Sequence, residues 1–197
     1  MKKHTDNKKK LTVMLISGFI VFSMVISIFA VIVDNQSNDN SNYNSHKIIT
    51  TNTGYKTKIN SNYQDFHYYP SELERINLDS GIITKLKNSQ AVAFIFDPKE
   101  NVTENLQYID LIRYETGLQF DKPTYFGVTS NSTKYTLPIV TCDNATAEIP
   151  FILINISSNT SFTVSSSNPN CIIMNAKLKE LLATKDRLIY TYYGIMK

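Results

Sequence analysis

Cys142 and Cys171 are the only cysteines among the 197 residues. Two thiols in one domain either pair as a disulfide or leave one as a thiolate nucleophile, activated by a cation or a helix start beside it. Cys142 precedes Asp143-Asn144-Ala145-Thr146, which can open a helical turn, but it has no Cys-x-x-Cys partner and no histidine near it in sequence. The expected state is a Cys142–Cys171 disulfide that closes a loop of about 30 residues, worth roughly 3 kcal/mol in the chain-entropy model. Asp97 is the carboxylate best placed to meet a ligand. It follows the apolar run Ala91 to Phe96, the pattern of a strand buried on both faces, and open α/β sheets gather ligands at such carboxyl ends. Asp97-Pro98 also has the composition of a plain strand end and turn.

Other chemistries lack their residues. His4, His46 and His67 are far apart in sequence and have none of the short ligand spacings of a zinc or iron site, so no metal is expected. His67 could face Glu72 or Glu74, but it reads as an edge-strand residue. With six glycines, the chain has no Gly-x-Ser-x-Gly elbow, no phosphate-cradling loop and no dinucleotide fingerprint, and no cofactor is expected. Six Asn-x-Ser/Thr sequons, at Asn35, Asn101, Asn131, Asn144, Asn155 and Asn159, are candidate glycosylation sites; this Asn-, Ser- and Thr-rich composition gives nearly as many by chance.

These residues are carried behind an apolar segment. Residues 11–33 contain no charge and follow a tail with five lysines and one aspartate. A helix of that length spans roughly 34 Å, enough for a hydrocarbon core of about 30 Å. The run is too long for a signal-peptide core, and Ile28 stands where a cleavage site before Ala30 would need a small residue. The charge asymmetry puts residues 1–10 in the cytoplasm and the rest of the chain outside. Ser23 and Ser27, four apart, form a small-xxx-small face through which two such helices can approach as a homodimer. The net charge of +3 belongs to the tail, because beyond residue 33 there are 15 Lys and Arg against 16 Asp and Glu. A nucleic-acid partner is therefore excluded as an expectation.

Residues 34–53 are rich in Asn, Ser and Asp and are expected as a flexible polar stalk. Residues 54–197 are the length of one domain. Within it the pattern predicts a hairpin over 55–69, turning at Asn60-Ser61-Asn62, and short helices over 70–76 and 80–87. The buried strand 91–96 comes next, then a helix capped by Asn101-Val102-Thr103-Glu104 and stopped at Gly117. Strands follow at 124–129, 135–142, 151–156, 161–166 and 171–175. A terminal helix over 178–195 has Leu181, Leu182, Leu188, Ile189 and Tyr192 on one stripe. The whole is a mixed-sheet α/β domain. Two aromatic clusters, Phe66-Tyr68-Tyr69 and Tyr190-Tyr192-Tyr193, are candidate contact surfaces.

From Ala91 onward the order of elements resembles a thioredoxin fold: buried strand, helix, strand, a proline directly before the next strand, hairpin, terminal helix. The resemblance implies a cis-proline at Ile149-Pro150-Phe151. It also implies a redox Cys-x-x-Cys after the first strand, where this chain has Asp97-Pro98-Lys99-Glu100, and so it carries the architecture without the redox activity. The strand 171–175 lies outside that family's minimal pattern. The blocks FHYYPSELERIN, AVAFIFDP, LPIVTCDNAT, NCIIMNA and DRLIYTYYGIM are similar to those of an uncharacterised single-pass membrane protein family of small-genome archaea, over most of residues 54–197. That resemblance implies a cell-surface protein with the same anchor and brings no functional residue. The expected protein is a membrane-anchored, non-catalytic binding or scaffolding domain that meets a partner in the cell envelope. The alternative is a thiol-redox or hydrolytic enzyme using Cys142 or Asp97.

Overall fold

The computed structural model describes residues 14–27, 40–99 and 103–197, and the chain divides into two units, Met1–Asp39 and Asn40–Lys197. In the first unit, residues 14–27 form a helix (α1) whose side chains are exposed throughout. Among the described residues no helix is long and apolar enough to cross a membrane. Residues 11–13 and 28–33 of the apolar run, the tail 1–10 and residues 34–39 lie outside the described residues.

The second unit is mixed α/β with two sheets. The first is an antiparallel meander of β1 (Asn40–Tyr43), β2 (His46–Thr51), β3 (Gly54–Ile59) and β4 (Asn62–Phe66), paired in that order. Residues 40–53, expected as the end of a stalk, thus belong to the folded unit. Their asparagines serve turns. Asn44-Ser45 and Asn60-Ser61 are both two-residue hairpin loops with positive φ (46° and 67°, 47° and 75°), the backbone that two-residue hairpins require and that Asn tolerates well. Ile48, Thr57, Ile59 and Phe66 are the buried side chains of the meander.

The second sheet has the order β6-β5-β7-β9-β8. Its strands are β5 (Val92–Phe96), β6 (Thr124–Val128), β7 (Phe151–Ile156), β8 (Ser161–Val164) and β9 (Cys171–Ala176). All pair in parallel except β8, which runs antiparallel to β9 at the edge. Every residue of β5 is buried, as its apolar run predicts. Helix α2 (Ser80–Asn88) starts at Asp79, whose carboxylate accepts from the Gly81 N–H at 2.6 Å. Its last carbonyls are closed by a distant lysine, with Lys122 Nζ donating to Leu86, Lys87 and Ser89 at 2.7–3.1 Å. Helix α3 (Thr103–Gln119) runs through Gly117 and links β5 to β6; the cap expected at Asn101 lies outside the described residues. The last helix, α4 (Leu181–Tyr192), follows a 3₁₀ turn at Leu178–Glu180.

Two features implied by the thioredoxin resemblance differ here. No peptide bond is cis among the described residues, so Ile149–Pro150 is trans. And β7 and β8 make no hairpin, since β7 pairs in parallel with β5 and β9 while β8 pairs with β9.

Residues 135–142, expected as a strand, form none; one bridge joins Val128 to Ile139. The reason is topological. β6 and β7 are parallel and separated by β5, so the chain between them must cross the sheet. It crosses as a strap, residues 129–150, irregular but for a 3₁₀ turn at Cys142–Asn144: Tyr135 and Leu137 pack on the main core, and Val140, Cys142 and Ile149 pack on the sheet side formed by Ala93, Ile95, Phe151 and Cys171. The side chains of Val92, Phe94, Phe96, Ile152, Ile154, Ile172 and Met174 belong to the main core with those of the helices.

Candidate functional site

Sheet and strap together make the most distinctive site. The strap is fastened at several points. Tyr135 packs edge-on against Phe96 at 5.0 Å and donates its hydroxyl to Asp110 at 3.0 Å. The Arg113 guanidinium lies 5.1–5.5 Å from the rings of Phe96, Phe126 and Tyr135, within cation–π range. Further along, Val128 exchanges main-chain hydrogen bonds with Pro138 and Val140 (3.0 and 2.9 Å). Cys142 is disulfide-bonded to Cys171, the first residue of β9, with the Cα atoms 5.2 Å apart. The Asn168 amide then donates to the Cys142 and Ala145 carbonyls, each at 2.9 Å.

Between these fastenings the strap leaves a cavity of about 230 Å³ lined by Ala93, Ile95, Tyr125, Val140, Ile149 and Phe151, with Asn144 and Thr146 as polar wall. Tyr125 in its wall is 55% exposed. Gly127 permits the close approach of strap and sheet, since a Cβ there would stand 2.5 Å from Val140 Cγ2 and 3.2 Å from the Pro138 carbonyl oxygen. The volume decides what fits. It exceeds the roughly 150 Å³ that holds a benzene ring and falls short of the roughly 300–1,000 Å³ of drug-sized pockets. One ring or one branched aliphatic side chain fills it.

The two cysteines are thus brought together as expected. Asp97 serves its turn: Oδ1 accepts from the Lys99 N–H at 3.0 Å and from the Ser130 hydroxyl at 3.2 Å. Among the sequons, Asn131, Asn144 and Asn159 are exposed, and Asn35 and Asn101 lie outside the described residues. Asn155 is in the middle of the sheet and donates its side-chain amide to Asn175 at 2.7 Å, which argues against its being a glycan acceptor. Ser23 donates its hydroxyl back to the Ile20 carbonyl at 3.0 Å within α1. No group of His, Cys, Asp and Glu able to hold a metal occurs among the described residues. The aromatic clusters are largely core: Phe66 stacks on Tyr190 at 4.0 Å, and both are buried.

A second constellation escapes the sequence patterns. His67 directly follows the edge strand β4 and pairs with neither Glu72 nor Glu74; its Nε2 meets Glu115 Oε1 of α3 at 2.8 Å. The other Glu115 oxygen lies 2.7 Å from Lys185 Nζ, and Lys185 lies 2.5 Å from Asp186 Oδ1. Asp186 Oδ2 accepts from the main-chain N–H groups of His67 and Tyr68 at 2.7 and 3.0 Å. Lys185 and Asp186 are fully buried. The network pins the end of β4 to α3 and α4. Its only sequence signal is the charged run Lys185-Asp186-Arg187 between the apolar residues Leu181, Ala183, Leu188 and Ile189 of the helix.

The network has a defined pH response. The hydrogen bond to Glu115 raises the His67 pKa against the opposing effect of burial. Burial works against the Glu115 anion, yet His67 and Lys185 hold its pKa below the usual carboxylate range. Burial pushes the Asp186 carboxyl up, opposed by Lys185 and by the His67 main-chain N–H. A raised histidine contributes stability that is full below its unfolded pKa of about 6.5 and is lost as pH rises through the folded value. Urea midpoints are therefore expected to fall as pH rises from about 6 toward 8, and His67→Gln should flatten that slope. An unchanged slope in His67→Gln would mean that the ring does not titrate through Glu115.

No protein-family model, no curated protein and no solved structure matches this chain.

Proposed function

We propose that this chain is a membrane-anchored, non-catalytic binding protein whose exterior domain captures one apolar side chain of a partner protein in the strap cavity. The observation that carries the reading is the cavity itself: largely apolar, sized for a single side chain and bordered by the exposed Tyr125. Protein interfaces concentrate their energy in such anchors. The strap is also long for a connection in a compact domain, with a single 3₁₀ turn at Cys142–Asn144 as its regular structure, and long connections of this kind usually serve a function.

The anchor rests on the charge-free run 11–33 behind a basic tail, with the N-terminus in the cytoplasm. In its described part, Met14 and Phe19 are 76% and 73% exposed, an arrangement that lipid favours and water does not. A disulfide suits the oxidising side of a membrane. The enzymatic alternative is disfavoured because its two groups are engaged, Cys142 in the disulfide and Asp97 in its turn.

The test is a photo-crosslinking amino acid at Tyr125 of the full chain in cells, compared with and without Ala93→Leu, which fills the cavity from the sheet side. A discrete protein adduct that disappears in Ala93→Leu is the expected result. An adduct indifferent to Ala93→Leu, or none, would overturn the reading.

A further inference from the structure

The strap cavity lies beside Ala93 and Ile95 of β5 and Phe151, the first residue of β7. A second concavity, of about 440 Å³, opens where β7 and β9 end, and it is polar. Its walls are Arg75 and Ile76, the β7–β8 turn Ser158-Asn159-Thr160, and Lys177 and Glu180 after β9. The two cations share one carboxylate there. Arg75 has one carboxylate in reach, Glu180 at 3.7 Å, and its side chain is 71% exposed. Lys177 has no ion pair among the described residues and is exposed. Glu180 is also engaged by the Thr160 hydroxyl. Glu74, next to Arg75, is bound by the Tyr43 hydroxyl at 2.8 Å. The cleft therefore offers a forked guanidinium, an ammonium and the hydroxyl and amide groups of the turn, a set suited to an oxyanion. It also sits at the carboxyl ends of parallel strands, the edge where open α/β sheets bind their ligands.

We propose that the cleft between Arg75, Lys177 and the Ser158–Thr160 turn binds a small phosphate-bearing molecule, either free or as the headgroup of an anionic lipid. This inference does not use the strap cavity and is tested separately from it. Asn159 is an exposed sequon in the cleft wall, so a glycan there would occupy the site and the protein should be made without N-glycosylation.

The probe is inorganic phosphate, titrated calorimetrically into the full chain in phosphatidylcholine nanodiscs and again in discs containing phosphatidylglycerol. Saturable binding is expected in the neutral discs. It should weaken roughly tenfold or more in Arg75→Gln/Lys177→Gln, the loss expected for charge-assisted hydrogen bonds, and tighten in Glu180→Gln, which removes the competing carboxylate. Equal phosphate affinity in both discs identifies a free anion as the ligand. Weaker phosphate binding in the phosphatidylglycerol discs identifies a lipid headgroup competing for the cleft. Near-UV circular dichroism checks that each variant is folded. Absence of saturable binding, or binding unchanged in folded Arg75→Gln/Lys177→Gln, would overturn the proposal.

Discussion

Replacing Lys185 by Met is expected to destabilise the folded unit Asn40–Lys197 by about 3–5 kcal/mol, the cost of stranding a buried carboxylate. Lys185 Nζ is the shared cation between Glu115 at 2.7 Å and Asp186 at 2.5 Å, and the lysine is fully buried. Without it, Asp186 keeps its two main-chain donors but loses its counter-charge in a site that water does not reach. The measurement is urea unfolding of the full chain in detergent, followed by the near-UV signal of tyrosine, since the chain has no tryptophan. Lys56 is the control. Its pair with Asp65, at 3.2 Å, is largely solvent-exposed, and such pairs contribute about 0–1 kcal/mol, so Lys56→Met should barely move the midpoint. Adding Asp186→Asn and Glu115→Gln to Lys185→Met should recover part of the loss. Equal effects of Lys185→Met and Lys56→Met would show that the buried lysine is not the counter-charge.

The second large effect is expected at the disulfide. Replacing Cys142 and Cys171 together by Ala should cost about 2–5 kcal/mol, because the bond limits the unfolded chain and the bridged residues are 29 apart in sequence. The location of the damage is more diagnostic than its size. The strap has few regular hydrogen bonds, so without the bond residues 141–149 are expected to lose hydrogen-exchange protection while β5 and β7 keep theirs. If the strap stayed as protected as the sheet, its other fastenings would be sufficient to hold it, Asn168 and the Val128–Val140 exchange among them. The cavity would then owe nothing to the bond.

Residue pattern alone determined those parts of the protein where a local rule has one solution. The uninterrupted apolar run Ala91 to Phe96 has to be buried on both faces, and it is the central strand β5. The Asn60-Ser61 turn between alternating segments has to be a hairpin, and two cysteines in one domain pair readily. The charge-free run 11–33 likewise stands out in sequence, whereas among the described residues no helix is long and apolar enough to cross a membrane.

Tertiary structure decided everything that depends on what a segment packs against. Residues 40–51 have the composition of a stalk, but β1 is held by pairing to β2, and β2 by pairing to β3 and by the burial of Ile48, which composition does not register. The apolar residues 135–142 look like a strand, but the crossing from β6 to β7 makes them a strap. Helix α4 displays an amphipathic stripe, yet it packs against β9, α2 and α3 while Phe66 and the main chain of His67 and Tyr68 close over Asp186 and Tyr190. Its polar residues Lys185 and Asp186 are therefore buried and must find partners, and those partners, His67 and Glu115, are remote in sequence. Both candidate sites arise in the same way. A cavity under a strap and a cleft at the end of β7 and β9 are gaps between segments distant in the chain, and no periodicity within one segment records them.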